Sequence, residues 1–390
     1  MRRLKMSLTG LTTLLGLIND RCAAEMPRFE VHPIAAWGNE LGQTSLADVD
    51  RDGDLDWIVG QHGEMRWYEF RNPKEWIAHE IGAGAKTDVG GTAFDVDGDG
   101  WVDQVAGTAW YRNPGNPRDA RFEFFQNGAI SCHDNVAADL NGDGRLDVVA
   151  LSNDAAHPIL AWYEIPANPR DRWQQRLIGD GIHGGVDPRG VSDLDGDGDQ
   201  DVVRGNAWFE NHDGRGKSWH EHAAFELPGG GRTGPFGLCL KTWVIDLDGD
   251  QDLDVVESEA DFEDCRVFWF ENEGRAKSWT YHPVTAEHTG QDFHALAVAD
   301  FDGDGDADIS SGSGPLTKAA QQRAFIWENR NGHGGAWTEH VICEGIPSHE
   351  TKAADVDQDG DVDLCTKPWQ GNQHYFLRNR LRDPPPAKDQ

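Results

Sequence analysis

Apolar residues in this chain fall in short runs that return in the same order from one unit to the next. In the first unit Thr44-Ser45-Leu46-Ala47 leads into an acidic stretch and Asp56-Trp57-Ile58-Val59 leads out of it. An aromatic run, Trp67-Tyr68-Glu69, comes next, and a fourth run begins at Trp76. Short β-branched and aromatic runs set off by Gly, Asn and Asp predict strands, so each unit reads as four of them. The third-strand signature returns as Trp110-Tyr111, Trp162-Tyr163-Glu164, Trp208-Phe209-Glu210-Asn211, Trp269-Phe270-Glu271-Asn272 and Trp327-Glu328-Asn329. The fourth strand opens on Trp173, Trp219, Trp279 and Trp337. Large rings at fixed places in a repeat are expected to pack between neighbouring units rather than to stack on sugars.

The acidic stretch between the first two strands has the form Asp139-Leu140-Asn141-Gly142-Asp143-Gly144-Arg145-Leu146-Asp147 and is written seven times. Side-chain oxygens fall at positions 1, 3, 5 and 9. These are Asp48, Asp50, Asp52 and Asp56; Asp95, Asp97, Asp99 and Asp103; Asp139, Asn141, Asp143 and Asp147; and Asp193, Asp195, Asp197 and Asp201. Asp246, Asp248, Asp250 and Asp254; Asp300, Asp302, Asp304 and Asp308; and Asp355, Asp357, Asp359 and Asp363 complete the set. Position 6 is glycine except in the fifth copy, which has Gln251. Oxygens on alternate residues of a tight turn converge on one point, which suits a hard cation needing six to eight of them. A single Asp-Gly loop would equally be a plain turn; seven in one register predict up to seven structural Ca2+ ions that staple hairpins. The EF-hand alternative fails, because position 12 is Val59 or Ala150 rather than Glu and the flanks are β-rich.

Successive first acids are 47, 44, 54, 53, 54 and 55 residues apart, a period that means a propeller or a solenoid. The seventh unit ends after His374-Tyr375-Phe376-Leu377 without a fourth strand. A matching strand stands at the other end, where Phe29-Glu30-Val31-His32-Pro33-Ile34 parallels Trp279-Thr280-Tyr281-His282-Pro283-Val284. The expected fold is therefore all-β, a seven-bladed β-propeller whose ring is closed by the N-terminal strand, which removes the edges a solenoid must cap. The expected division is an export signal over 1–24, the propeller over 25–380 and a disordered, Pro-rich tail over 381–390. With its Asp-x-Asp-Gly-Asp-Gly-x-x-Asp loops between strands, the chain resembles the FG-GAP/VCBS repeat proteins, integrin-type and bacterial calcium propellers. The resemblance covers roughly residues 28–380 and implies that the loops lie on the bottom face, with the residues before them at the top of a central funnel. It leaves function open, because such propellers serve as adhesins, scaffolds and enzymes.

The net charge is −33, yet the seven loops hold 32 acidic residues, so the rest of the chain is almost neutral. No basic footprint for nucleic acid exists. Arg2, Arg3 and Lys5 precede an apolar run over 8–18, and Cys22-Ala23-Ala24 offers small residues for cleavage. The run is too short to span a membrane, and the expected product is a secreted or periplasmic monomer. Among the cysteines past the signal, Cys132, Cys239, Cys265, Cys343 and Cys365, a Cys239–Cys265 disulfide fits the register, and the odd number leaves at least one thiol free.

Six residues upstream of each first acid stand Gly42, Val89, His133, Asp187, Leu240, His294 and His349. Their neighbours include Asp134, His183, Arg189, Lys241, Asp292, Glu350 and Lys352, and the second-to-third-strand links add His62, Asn153, Asp154, Glu259, Asp261, Lys318, Lys367 and Trp369. The long, glycine-rich linkers 181–190 and 228–237 suit pocket walls. The outer-strand histidines His79, His222, His282 and His340 follow the repeat and read as structural. The funnel set is blade-specific, and its bland alternative is loop capping. Two chemical roles suit His133, His294, His349, Asp187, Arg189 and Lys241. The histidines bind a divalent metal with Asp187 as oxygen ligand, or one His takes a proton beside a carbonyl while Arg189 or Lys241 steadies the enolate. Either serves β-elimination or dehydration of a sugar. The funnel and calcium loops are also similar to the propeller of the aldos-2-ulose dehydratases, which implies a keto-sugar substrate, although the cupin domains that follow it there are absent. The leading expectation is an exported carbohydrate lyase or dehydratase. The alternatives are a non-catalytic carbohydrate- or protein-binding propeller and a glycoside hydrolase.

Overall fold

A computed structural model describes residues 26–61, 63–85, 89–128, 131–152, 154 and 157–383. The export segment, His62, Asn153 and the tail beyond residue 383 lie outside the described residues. Seven antiparallel sheets form the blades of the predicted propeller. Blade 1 runs outward through Leu41–Ala47, Asp56–Gln61, Glu64–Asn72 and Glu75–Ala83, and blades 2 to 6 repeat the order. In blade 7 the outermost strand is Phe29–Ala36, which pairs antiparallel with Gln373–Asn379, Phe29 lying opposite Asn379. No helix among the described residues is long and apolar enough to cross a membrane.

Each innermost strand ends in its acidic loop, and there the repeat is tied together. In six blades the buried position-9 carboxylate accepts backbone N–H groups from the loop and from the end of the third strand, and in blade 3 Asp147 accepts from Ile165. Asp254 takes Leu247 N–H at 2.8 Å and Asn272 N–H at 2.9 Å. The side-chain amide of Asn272 then donates to Leu194 O at 3.1 Å, in the loop of the preceding blade. Asn113, Asn211 and Asn379 do the same to Val49, Leu140 and Phe301. A repeated Asn therefore links blade to blade, and each such buried bond, once broken, would leave a polar group unsatisfied at a cost of about 1–3 kcal/mol. Position 6 has positive φ, +84° at Gly144 and +96° at Gly305, and Gln251 adopts the same conformation at +80°.

Trp67, Trp110, Trp162, Trp269 and Trp327 are fully buried, as expected of blade-to-blade core. The outer-strand histidines complete this layer. His79, His222 and His282 stack on Trp67, Trp208 and Trp269 with centroids 4.3, 4.2 and 4.5 Å apart. These three and His340 each bond to the third-strand Glu of their own blade, at 2.7 to 2.9 Å.

The ring departs from its repeat between blades 4 and 5. Pro188–Arg189 leaves blade 4 and runs parallel to Thr242–Trp243 of blade 5, while Val191–Ser192 stays behind. Upstream, Gly184 bridges Cys239 in the same parallel sense. This lays the 181–190 linker along the inside of blade 5. The Cys239–Cys265 disulfide does not form. Both thiols are free and buried, and Cys265 Sγ is spent on Phe262 O at 3.1 Å while Cys239 sits beside Gly184.

Candidate functional site

On the face opposite the acidic loops, a cavity of about 220 Å³ opens where the innermost strands begin, lined by His133, His183, His294, His349, Asp261, Phe236 and Trp369 among others. His133 starts its blade's innermost strand, Cys132–Ala138, and His349 immediately precedes another, Glu350–Ala354. His183 arrives on the displaced linker, which passes close enough only because it carries glycine. A Cβ on Gly184 would lie 2.8 Å from Cys239 Sγ and 2.9 Å from His133 Cε1. The 228–237 linker folds into a small hairpin, Thr233–Gly234 against Gly237–Leu238, over Asp261. There a Cβ on Gly234 would fall 1.7 Å from the Asp261 carbonyl oxygen.

The imidazoles are oriented from behind. His133 donates from Nδ1 to Asp134 Oδ1 at 2.6 Å, and Asp134 Oδ2 accepts the N–H groups of Gly185, Val186 and Asp187. Burial would raise the Asp134 pKa, but His133, its hydrogen bond and Lys241 hold it far below the carboxylate range. His294 donates from Nδ1 to the His349 carbonyl at 3.0 Å. Both rings are thereby left with Nε2 as the free nitrogen. His294 Nε2 lies 3.7 Å, and His183 Nε2 3.4 Å, from Asp261 Oδ2, a buried oxygen with no hydrogen-bond partner. Burial opposes charge on Asp261 too, yet His294, His133 and His183 hold its pKa well down. Ligand atoms of His133, Cys239, Asp261 and His294 lie within 4.8 Å of one another. Nitrogen, oxygen and sulfur donors converging at this spacing, with the opposite ring nitrogens anchored by a carboxylate and a carbonyl, fit a divalent transition metal.

His349 stands slightly apart. Its ring lies flat on His294, centroids 3.7 Å apart, and Nδ1 meets Lys367 Nζ at 3.0 Å. Burial, reinforced by the His294 and Lys367 charges, pushes the His349 pKa well down. Lys367 is also wholly buried, and desolvation with the Lys241 and Lys352 charges brings its pKa to about 7 against the pull of Glu350. His183 is lowered to about 4 by burial and by His133.

Of the six residues expected to act together, three meet at the pocket and three do not. Lys241 is buried with Nζ 2.8 Å from Glu350 Oε1 and 3.5 Å from Asp187 Oδ2, an internal ion pair that faces no substrate. Asp187 and Arg189 instead border a second cavity of about 310 Å³ in the central channel, with Lys352, Ser45 and Asn135. Asp187 therefore does not lie with the histidines; the carboxylate beside them is Asp261. The cause is the displaced 181–190 linker, which breaks the inner-strand register from which Asp187 was chosen. Cys239 immediately precedes the register position Leu240 and Phe236 lies in the 228–237 linker, so the repeat pattern marks neither as a site residue.

The FG-GAP-like repeat profile matches residues 48–106, 139–204 and 246–310, three stretches that each carry two successive acidic loops and the strands between them in the seven-bladed ring. The chain is an FG-GAP-repeat β-propeller. No curated protein matches it in sequence. Among solved structures, this FG-GAP propeller is similar to an Agrocybe aegerita lectin that recognises non-reducing terminal N-acetylglucosamine. The two share 17% identity over 78% of this chain and 80% of the lectin, with a TM-score of 0.50. The biofilm matrix protein Bap1 of V. cholerae aligns over 90% of this chain and 70% of its own at 13% identity, with a TM-score of 0.30. At this identity the likeness to the lectin concerns the fold alone.

Proposed function

We propose that this propeller acts on carbohydrate in the His133–His294–His349 pocket, as a metal-assisted lyase or dehydratase, and that its acidic loops carry structural calcium. The observation that carries the reading is the unpartnered Asp261 Oδ2 facing two imidazole nitrogens beneath an open pocket. A buried carboxylate oxygen is rarely left without a partner, and His133 and His294 are anchored in the manner of metal ligands. A divalent ion held by His133, Cys239, His294 and Asp261 would supply a Lewis acid for a substrate carbonyl. Phe236 and Trp369 line the same cavity and offer aromatic surface to a sugar ring.

His349 and Lys367 supply the proton traffic. With Lys367 neutral, His349 donates from Nδ1 to Nζ and presents an Nε2 lone pair to the pocket. The proton α to the carbonyl passes to Nε2 as the Nδ1 proton moves to Lys367. The His349 Nε2–H then protonates the β-hydroxyl as its C–O bond breaks, and Lys367 returns its proton to Nδ1. The C–H electron pair becomes the new double bond and one water leaves. A pKa of about 7 on Lys367 suits a group that must both take and give a proton near neutrality. Glycoside hydrolysis fits less well, since it needs two carboxylates flanking the bond and Asp261 is the only carboxylate lining the pocket among the described residues. The binding-only reading draws on the similarity of fold to a lectin.

Metal-loaded protein should raise a conjugated ultraviolet band with some member of a panel of keto-sugars and uronate oligosaccharides. His349→Gln and Lys367→Met should each lower kcat at least a hundredfold, while His294→Ala should lose the bound metal by elemental analysis. Silence across the panel from folded, loaded protein, with saturable sugar binding by calorimetry, would replace the lyase by the binding module. Export, the role expected of the segment before residue 25, would place the loops where calcium is plentiful.

A further inference from the structure

The seven acidic loops are not equivalent, and the difference lies opposite position 9. In every blade the residue paired with the position-9 Asp on the third strand points its charge at the loop. By strand register these residues are Glu69, Arg112, Glu164, Glu210, Glu271, Glu328 and Arg378. Five blades thus add a further carboxylate to a loop already crowded with them. Blades 2 and 7 add a guanidinium.

In blade 2, Arg112 Nε donates to Asp97 Oδ2 at 2.5 Å and Nη2 donates to Asp99. In blade 7, Arg378 Nε and Nη2 donate to Asp357 Oδ2 and Asp359 Oδ2, both at 2.7 Å. The carboxylates engaged are positions 3 and 5 of the loop in both blades, each through Oδ2, while Oδ1 of Asp97 and of Asp357 is buried without a hydrogen bond. A planar guanidinium with forked donors satisfies paired carboxylates and carries its positive charge permanently. We infer that Arg112 and Arg378 take the place of the ion in blades 2 and 7, so that only the remaining five loops bind calcium.

The exchange extends to the outer strand. Where the third strand has Glu, a fourth-strand His binds it in blades 1, 4, 5 and 6, and Arg176 does so in blade 3. In blade 2 the position holds Phe125, stacked on Trp110. In blade 7 the equivalent His32 has no third-strand acid, its Nε2 lacks a hydrogen bond and its nearest carboxylate is Glu30 at 3.6 Å. Blade 1 belongs with the metal group. Two guanidinia reach its loop, Arg118 from a connection of blade 2 and Arg71 from the end of its own third strand, each on a side chain that is 40% exposed and can withdraw without breaking a strand.

This inference rests on reading the other loops as calcium sites, and a count of bound ions separates the two. Native mass spectrometry or equilibrium dialysis of the full chain against calcium should find five ions. Arg112→Glu should bind six, the double Arg112→Glu/Arg378→Glu variant seven, and Glu271→Arg four. Seven ions on the wild type, or folded Arg→Glu variants that gain none, would overturn the substitution. Zero ions on folded wild type would sink the calcium reading itself. The wild-type count decides the matter even if a variant fails to fold.

Discussion

Replacing Lys241 by Met tests whether the inner wall of the funnel is held by an internal ion pair or is part of the catalytic surface. The Lys241 side chain is 1% exposed and its ammonium sits 2.8 Å from Glu350, whose side chain is 5% exposed, with Asp187 at 3.5 Å. Methionine matches the stem of lysine, so packing is nearly conserved and the change removes charge. It strands Glu350 and Asp187 in a buried site, and breaking a buried pair this way costs about 3–5 kcal/mol. The sign with pH follows. Burial alone would raise the Glu350 pKa, but Lys241, Lys367 and Lys352 bring it down to about 2. In the wild type Glu350 therefore adds stability above its unfolded pKa and loses it as pH falls toward 2. Without Lys241 that benefit shrinks, so the variant should lag most at neutral pH and approach the wild type only as pH falls toward 2. Urea unfolding at pH 7.5 and at about pH 2.5, where the Glu350 benefit is being lost, measures both. Adding Glu350→Gln to Lys241→Met should recover a large part of the loss, since the one carboxylate then left without Lys241, Asp187, keeps Lys352 at 3.6 Å. A single-variant loss under 1 kcal/mol at pH 7.5, or no recovery in the double variant, would refute the internal pair.

Two further outcomes follow from the loops. In EDTA, burial ahead of the neighbouring charges raises the position-9 carboxyls, Asp56 to about 9 and Asp201 and Asp308 to about 8. A raised carboxyl stabilises the fold below its unfolded pKa and ceases to as pH climbs through the folded value, so the chelated protein should melt at progressively lower temperature from pH 5 to pH 8 while calcium-loaded protein does not. A flat EDTA profile by calorimetry would contradict this. Gln251→Gly removes a side chain from a left-handed position at φ +80°. It should raise stability by about 1 kcal/mol, read as a shift in urea midpoint with unchanged slope, and a decrease would show that the Gln251 side chain contributes more than its backbone loses.

What could be read from the chain and what could not divide along one physical line. Strand order, the buried tryptophans and the outer histidines repeat because each blade solves the same packing problem, and a repeated solution prints a period in the sequence. The Trp67–His79–Glu69 stack is legible at its first occurrence because it returns at Trp208 and Trp269. The site is the opposite case. His133, His294 and His349 were found by their common distance from the loops, which holds while the innermost strand runs straight to its loop. The linker over 181–190 does not keep that register: it crosses to blade 5, carries Asp187 into the channel and delivers His183 in its place. Gly184 makes the crossing feasible, and its reason is a contact with Cys239 and His133 more than fifty residues away on either side, which no local pattern records. Arg112 and Arg378 lie between these cases. They break a periodic position, so the chain shows them in plain view, but their meaning depends on the strand pairing that sets them against Asp103 and Asp363. A deviation from a repeat becomes interpretable once the partner across the strand is known, and in this ring that partner is the loop acid itself.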